Sequence, residues 1–189
     1  ASNTDIDTIT VTYKPSGSDV TVVPTVQGDG SYFLKLPKID EERVVLKIVA
    51  KKPTTKVNVL GTEELYELEG YVELTGEDTI APIIMTAEDG TTYRTQIMLS
   101  KLSSNTNLKQ FTAKEGTKVD NYTIEVDSKA TKLTITAIPE HSGAQVKLPS
   151  ETTYSNELRD VEVSIVGETE ISVDVLAEDG GSFRTHTLQ

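Results

Sequence analysis

The sequence predicts an all-β chain built as two antiparallel β-sandwiches in tandem, and three observations carry that reading. Apolar and polar residues alternate through much of the chain, Asp-Gly turns stand between alternating runs, and the two halves resemble each other. Alternation with a period of two marks half-buried strands, because successive side chains leave a strand on opposite faces. No segment of ten or more residues keeps the i, i+3, i+4, i+7 apolar spacing of an amphipathic helix.

Self-comparison sets the frame. Ser2-Asn3-Thr4-Asp5-Ile6 matches Ser104-Asn105-Thr106-Asn107-Leu108 at an offset of 102, and Ala87-Glu88-Asp89-Gly90 matches Ala177-Glu178-Asp179-Gly180 at an offset of 90. Tyr32-Phe33-Leu34-Lys35-Leu36 pairs with Tyr122-Thr123-Ile124-Glu125-Val126 at 90, and Val57-Asn58-Val59 with Val146-Lys147-Leu148 at 89. The fall in offset places 12 extra residues in the first copy, within 11–31, where Asp19-Val20-Thr21-Val22-Val23 reads as an added strand or hairpin. Lys101-Leu102-Ser103 joins the copies without a Pro- or Gly-rich linker, so the expected domains are 1–101 and 102–189.

In chain order, the first copy is expected to hold strands at Tyr32–Leu36, Val45–Val49, Val57–Val59, Tyr71–Leu74 and Thr79–Thr86. Glu63–Glu69 has the spacing of one helical turn, but the alternating Tyr71–Leu74 follows directly and a strand is the preferred reading. The second copy repeats the pattern at Leu133–Ala137, Val161–Ile165, Ile171–Val175 and Phe183–Leu188. Asp89-Gly90 and Asp179-Gly180 supply the positive-φ residues of tight hairpins. Pro53 and Pro139 each remove an amide donor, which places them at strand ends or edges. The matched Tyr32 and Tyr122 are each expected to begin a strand and cap a core. Some seven short strands per copy, divided by turns at this spacing, predict immunoglobulin-like sandwiches.

Composition narrows the function classes. With 18 basic and 30 acidic residues the net charge is −12, which disfavours nucleic acid and anionic membrane surfaces as partners. The absence of cysteine excludes a disulfide scaffold, a thiolate metal site and a cysteine nucleophile. No apolar run is long enough to span a membrane, and the polar opening has no signal-peptide character, as expected of a piece excised from a larger chain.

The titratable residues point to turns and strands. Glu88, Asp89, Glu178 and Asp179 are the candidate calcium ligands, yet calcium takes six to eight oxygens and two adjacent carboxylates on a hairpin provide too few by themselves. Turn formation accounts for these residues without a metal, so no cofactor is expected. His186 falls on an alternating strand and His141 in a turn. No nucleophile elbow, zinc-binding helix or phosphate loop accompanies them, so no catalytic residue is assigned and no enzyme is expected. Lys14, Lys35, Lys109, Asn58 and Asn107 are available for a Lys–Asn cross-link, but their spacing singles out no pair. Without tryptophan, sugar stacking would fall to tyrosine. Tyr13, beside the first-copy insertion, is the candidate ligand residue, set against an ordinary decorated edge strand.

The run Asn105-Thr106-Asn107-Leu108, Asn121-Tyr122-Thr123-Ile124-Glu125-Val126, Leu133-Thr134-Ile135-Thr136-Ala137-Ile138-Pro139, Gly143-Ala144-Gln145-Val146 and Ala177-Glu178-Asp179-Gly180 resembles the bacterial cadherin-like β-sandwich repeat. The likeness covers the second copy from about Ser103; the first copy departs from it at its insertion and at Lys51-Lys52-Pro53-Thr54. The resemblance implies an extracellular, non-catalytic module of a larger secreted or surface protein of Gram-positive-type bacteria. It does not imply the calcium-dependent adhesion of animal cadherins, whose Asp-X-Asn-Asp-Asn linkers are absent. The expected function is that of a structural or adhesive spacer with a protein partner. The alternative is a carbohydrate- or cell-wall-binding accessory module with a cell-wall polysaccharide partner.

Overall fold

Alternating Val, Ile, Leu and Thr produce alternating burial along the strands. In Arg43–Ala50, for example, Val44, Leu46, Ile48 and Ala50 are buried while the residues between them are not. The computed structural model describes residues 3–189; Ala1 and Ser2, the latter part of the matched opening, lie outside the described residues. Every regular element described is a strand, as the alternation requires. The chain divides into two compact units, Ala1–Leu102 and Ser103–Gln189.

The first unit holds β1 (Ile6–Tyr13), β2 (Val20–Val22), β3 (Thr25–Val26), β4 (Tyr32–Lys35), β5 (Arg43–Ala50), β6 (Lys56–Val59), β7 (Thr62–Leu65), β8 (Glu67–Glu73), β9 (Asp78–Thr86) and β10 (Thr92–Ser100). One sheet has the order β2-β1-β5-β8 and the other β3-β4-β10-β9-β6-β7. All pairs are antiparallel except β4 with β10, which runs parallel with Tyr32 opposite Ile97 and Lys35 opposite Ser100. The core lies between the sheets: Ile9, Val11, Leu46, Ile48 and Val72 from one meet Val57, Ala81, Ile83, Met85, Ile97 and Leu99 from the other. Within 11–31, β2 pairs antiparallel with the end of β1 and becomes an edge strand, and β3 pairs with β4.

The Glu63–Glu69 stretch is strand, but interrupted. Tyr66 sits at φ 70, between β7 on one sheet and β8 on the other. Its N–H donates to Thr55 O and its carbonyl accepts from Ala50 N–H, both at 2.8 Å, so this residue carries the chain across the sandwich.

The second unit holds β11 (Leu108–Ala113), β12 (Gly116–Lys118), β13 (Ile124–Val126), β14 (Lys132–Pro139), β15 (Gln145–Lys147), β16 (Asp160–Ser164), β17 (Ile171–Leu176) and β18 (Phe183–Leu188). The orders are β11-β14-β16, β15-β17-β18 and the pair β12-β13. Phe111, Leu133, Ile135, Val146, Val173, Val175 and Leu188 pack its core. Gly116 lets β12 and β13 close up, since a Cβ there would lie 2.1 Å from Ile124 Cγ2.

The two matched tyrosines part company. Tyr32 begins β4 and packs against the core, as expected. Tyr122 corrects the expectation: it precedes β13 and is 68% exposed. Asp120 Oδ1 accepts the Tyr122 N–H at 2.7 Å, and this turn directs the chain before the strand starts.

Candidate functional site

The acidic hairpins resolve into turn chemistry. In the β9–β10 hairpin, Asp89 Oδ1 accepts the Thr91 N–H at 3.0 Å and Gly90 takes φ 85. That backbone hydrogen bond is the main reason the Asp89 carboxyl lies below the usual range. Glu88 is exposed. In the β17–β18 hairpin, Asp179 Oδ1 accepts the N–H groups of Gly181 and Ser182 at 2.9 and 2.8 Å, and Oδ2 accepts the Ser182 hydroxyl at 2.7 Å. Each aspartate thus organises its own loop.

Glu178 does something different from its matched residue Glu88. It is half-buried, and its Oε2 accepts the N–H of Ser103, a residue only 1% exposed, at 3.0 Å. The Ser103 carbonyl accepts the Asp179 N–H at 3.0 Å, so the hairpin holds both backbone polar groups of one residue of the segment entering the unit. His141 Nδ1 accepts the Gly143 N–H at 3.1 Å, and its Nε2 lies 3.9 Å from Glu178 Oε2. Gly143 lies tight against Glu178, where a Cβ would approach its Cγ and Cδ to 2.9 Å.

The entering segment is fixed further along. Asn105 Oδ1 accepts the Asn107 N–H at 2.8 Å, and the amides of Asn105 and Asn107 both donate to Glu140 Oε2, at 3.0 and 3.1 Å. These two bonds hold the Glu140 carboxyl below the usual range, Asn105 contributing most. His186 stands on β18 opposite the buried Val173, and its Nε2 lies 2.8 Å from Thr106 O. The first unit has the same opening turn, with Asn3 Oδ1 accepting the Asp5 N–H at 2.9 Å.

Sequence reasoning missed one further structural site. Arg159 meets Glu151 through both Nε and Nη2, donates from Nη2 to Val146 O at 2.9 Å and from Nη1 to Glu157 O at 3.0 Å. Glu151 Oε2 also accepts the Leu148 N–H at 2.8 Å, which ties the long loop after β15 to its strand. The Arg159 hydrogen bond is the main cause that lowers the Glu151 carboxyl. The fork of an arginine on a carboxylate is directional, but an irregular loop between the partners leaves no periodic trace in sequence.

Tyr13 closes β1 opposite Val20 of the added strand and packs against the core. Lys14 lies 3.8 Å from Asp19 and 3.7 Å from Glu41, Asn58 accepts the Gly61 N–H, and Asn107 donates to Glu140. Among the described residues, no buried side-chain nitrogen or oxygen is left without a hydrogen-bond partner. No helix among them is long and apolar enough to cross a membrane.

No curated protein matches the chain. Among solved structures, a human desmocollin-1 ectodomain superposes with a TM-score of 0.39 at 11% identity, over 90% of this chain; the chain spans 38% of that ectodomain. A Bacteroides ovatus mixed-linkage glucan utilization locus protein, SGBP-B, in complex with a mixed-linkage heptasaccharide, superposes with a TM-score of 0.19 at 12% identity, over 97% of this chain and 61% of its own. Residues 99–189 match the family described as the cadherin-like beta sandwich domain.

Proposed function

We propose that the chain comprises two copies of one sandwich and serves as a non-catalytic structural or adhesive module of a larger bacterial cell-surface or secreted protein, acting as a spacer or as a protein-interaction domain. The match of residues 99–189 to the cadherin-like beta sandwich domain carries the reading. Two features support it. Glu178 and His186 bond backbone groups of the segment entering the second unit and Glu140 accepts its Asn105 side-chain amide, which is what a load-bearing lock requires. The first unit also presents a short edge strand, β2, with Val20 and the following Val23 exposed, a place where a partner's strand can add through main-chain hydrogen bonds.

Co-sedimentation with insoluble peptidoglycan, chitin and cellulose tests the proposal. The chain is expected to remain in the supernatant with all three. Retention that Tyr13→Ala abolishes would replace this reading with a carbohydrate-binding one. Calcium has no part in the proposed function, so melting curves in millimolar Ca²⁺ and in chelator are expected to coincide.

A further inference from the structure

In the first unit, β2 is the edge strand of one sheet and β3 of the other, and Val23 and Pro24 join them. From Val20 to Gly28 this rim carries no charged residue, between Asp19 on one side and Asp29 on the other. Every other edge strand among the described residues carries at least one, as Glu63 does on β7, Glu67 on β8, Asp160 on β16 and Arg184 on β18. Charges on an edge obstruct the addition of a further strand, so in a chain of net charge −12 the uncharged rim is the edge open to one.

The hydrogen bonds of the sheet fix which residue of β2 faces that opening. At the two ends of β5, Glu42 O accepts the Leu74 N–H and Ala50 N–H donates to Tyr66 O, so the even-numbered residues of β5 direct their backbone groups to β8. The odd-numbered ones turn to β1, where Val45 and Lys47 bond Thr12 and Thr10. Val11 and Tyr13 therefore turn to β2 and bond Val22 and Val20. Thr21, between these two, points its N–H and C=O away from β1 and off the sheet. Its side chain lies on the outer face, with Oγ1 2.8 Å from Thr12 Oγ1, while Val22 packs against the core and Val20 is exposed.

We infer that β2 pairs with β2 of a second copy of this chain, antiparallel about a two-fold axis at Thr21, so that one sheet continues from copy to copy. This names the partner for the protein-interaction reading above and rests on it. The occupant of the edge is a short uncharged strand with a polar residue at its centre and an aliphatic residue on either side, and β2 itself answers that description. In this register Thr21 exchanges both backbone hydrogen bonds with the second copy's Thr21. Val20 stands beside the second copy's Val22, which extends the inner apolar face across the joint. Asp19 faces the second copy's Val23, and the two Asp19 carboxylates stand about 14 Å apart along the strands, beyond the screening length of physiological salt.

Sedimentation equilibrium and amide exchange on the 189-residue chain, at concentrations up to about 1 mM because so short a joint binds weakly, test the proposal. A monomer–dimer equilibrium is expected, and exchange of the Thr21 N–H is expected to slow at least about fivefold as dimer forms, with Val22, already bonded to β1, unchanged. Thr21→Lys and Thr21→Glu each set like charges face to face at the axis, on an exposed residue whose replacement leaves the melting point in place. Either variant alone is expected to dimerise at least about tenfold more weakly, and an equimolar mixture of the two is expected to restore dimerisation. A dimer whose Thr21 N–H exchanges as in the monomer, or a mixture no tighter than either variant alone, would overturn the pairing. A chain that stays monomeric throughout overturns self-pairing and assigns the edge to a strand of another protein, within the proposed function. Retention on polysaccharide, by contrast, overturns that function itself.

Discussion

Arg159 and Glu151 show how one residue pair helps hold a loop whose own regular structure is a single bridge, Val146 to Ser155. Arg159→Ala removes donors from the Glu151 carboxylate and the Val146 carbonyl together, and is expected to destabilise the second unit by about 1–3 kcal/mol in chemical denaturation. The pH dependence follows from the lowered Glu151 and Asp174 carboxyls, the latter held mainly by Lys147. A carboxyl with a depressed folded pKa contributes stability in full above its unfolded value, near 4, and loses it as pH falls through the folded value. Acid titration is therefore expected to lower stability below about pH 4, with a shallower slope in Glu151→Gln. Asp89 and Asp179 were legible as turn residues because their partners lie two or three positions away. Glu178 was not legible, because the N–H it accepts belongs to Ser103, far along the chain.

Among elements, β7 and β8 carry the clearest departure from a simple strand. Alternation identifies strand residues, but it does not say which sheet a strand joins, and Tyr66 makes that choice by turning left-handed. A bulky residue at positive φ is strained by crowding at its Cβ. Tyr66→Val, β-branched at the same position, is expected to cost about 1–3 kcal/mol, whereas Tyr66→Gly relieves the backbone and is expected to cost less, as equilibrium unfolding will show. The Tyr122 expectation failed for a related reason. The offset aligned its sequence with Tyr32, but the Asp120 turn sets where β13 begins, and side-chain capture of a backbone N–H leaves no mark in an alternation pattern.

On the scale of the whole molecule, the two units, Ala1–Leu102 and Ser103–Gln189, differ in how much core they build. Seventeen buried residues form the first core cluster and 13 the second. A smaller unit buries a smaller share of its surface and builds a smaller core, so the second unit is expected to melt first in calorimetry. Leu99→Ala, which empties a fully buried position of the first unit, is expected to cost about 2–5 kcal/mol and to lower only the upper transition. Val173→Ala is expected to lower only the lower one. Strand placement and the all-β class were readable from periodicity. The difference in core size was not, because it depends on which strands face each other across each sandwich.

Parallel pairing also orders events in time. In each unit an early segment finds its partner only in the final strand, so almost the whole unit must be looped out before the two can meet. Pairs so distant in sequence form slowly, and parallel ones cannot be nucleated by a hairpin. A unit emerging residue by residue from a ribosome or a secretion channel therefore holds one edge of an inner strand unsatisfied until its last strand is out, which makes closure of each sandwich a terminal step of its synthesis.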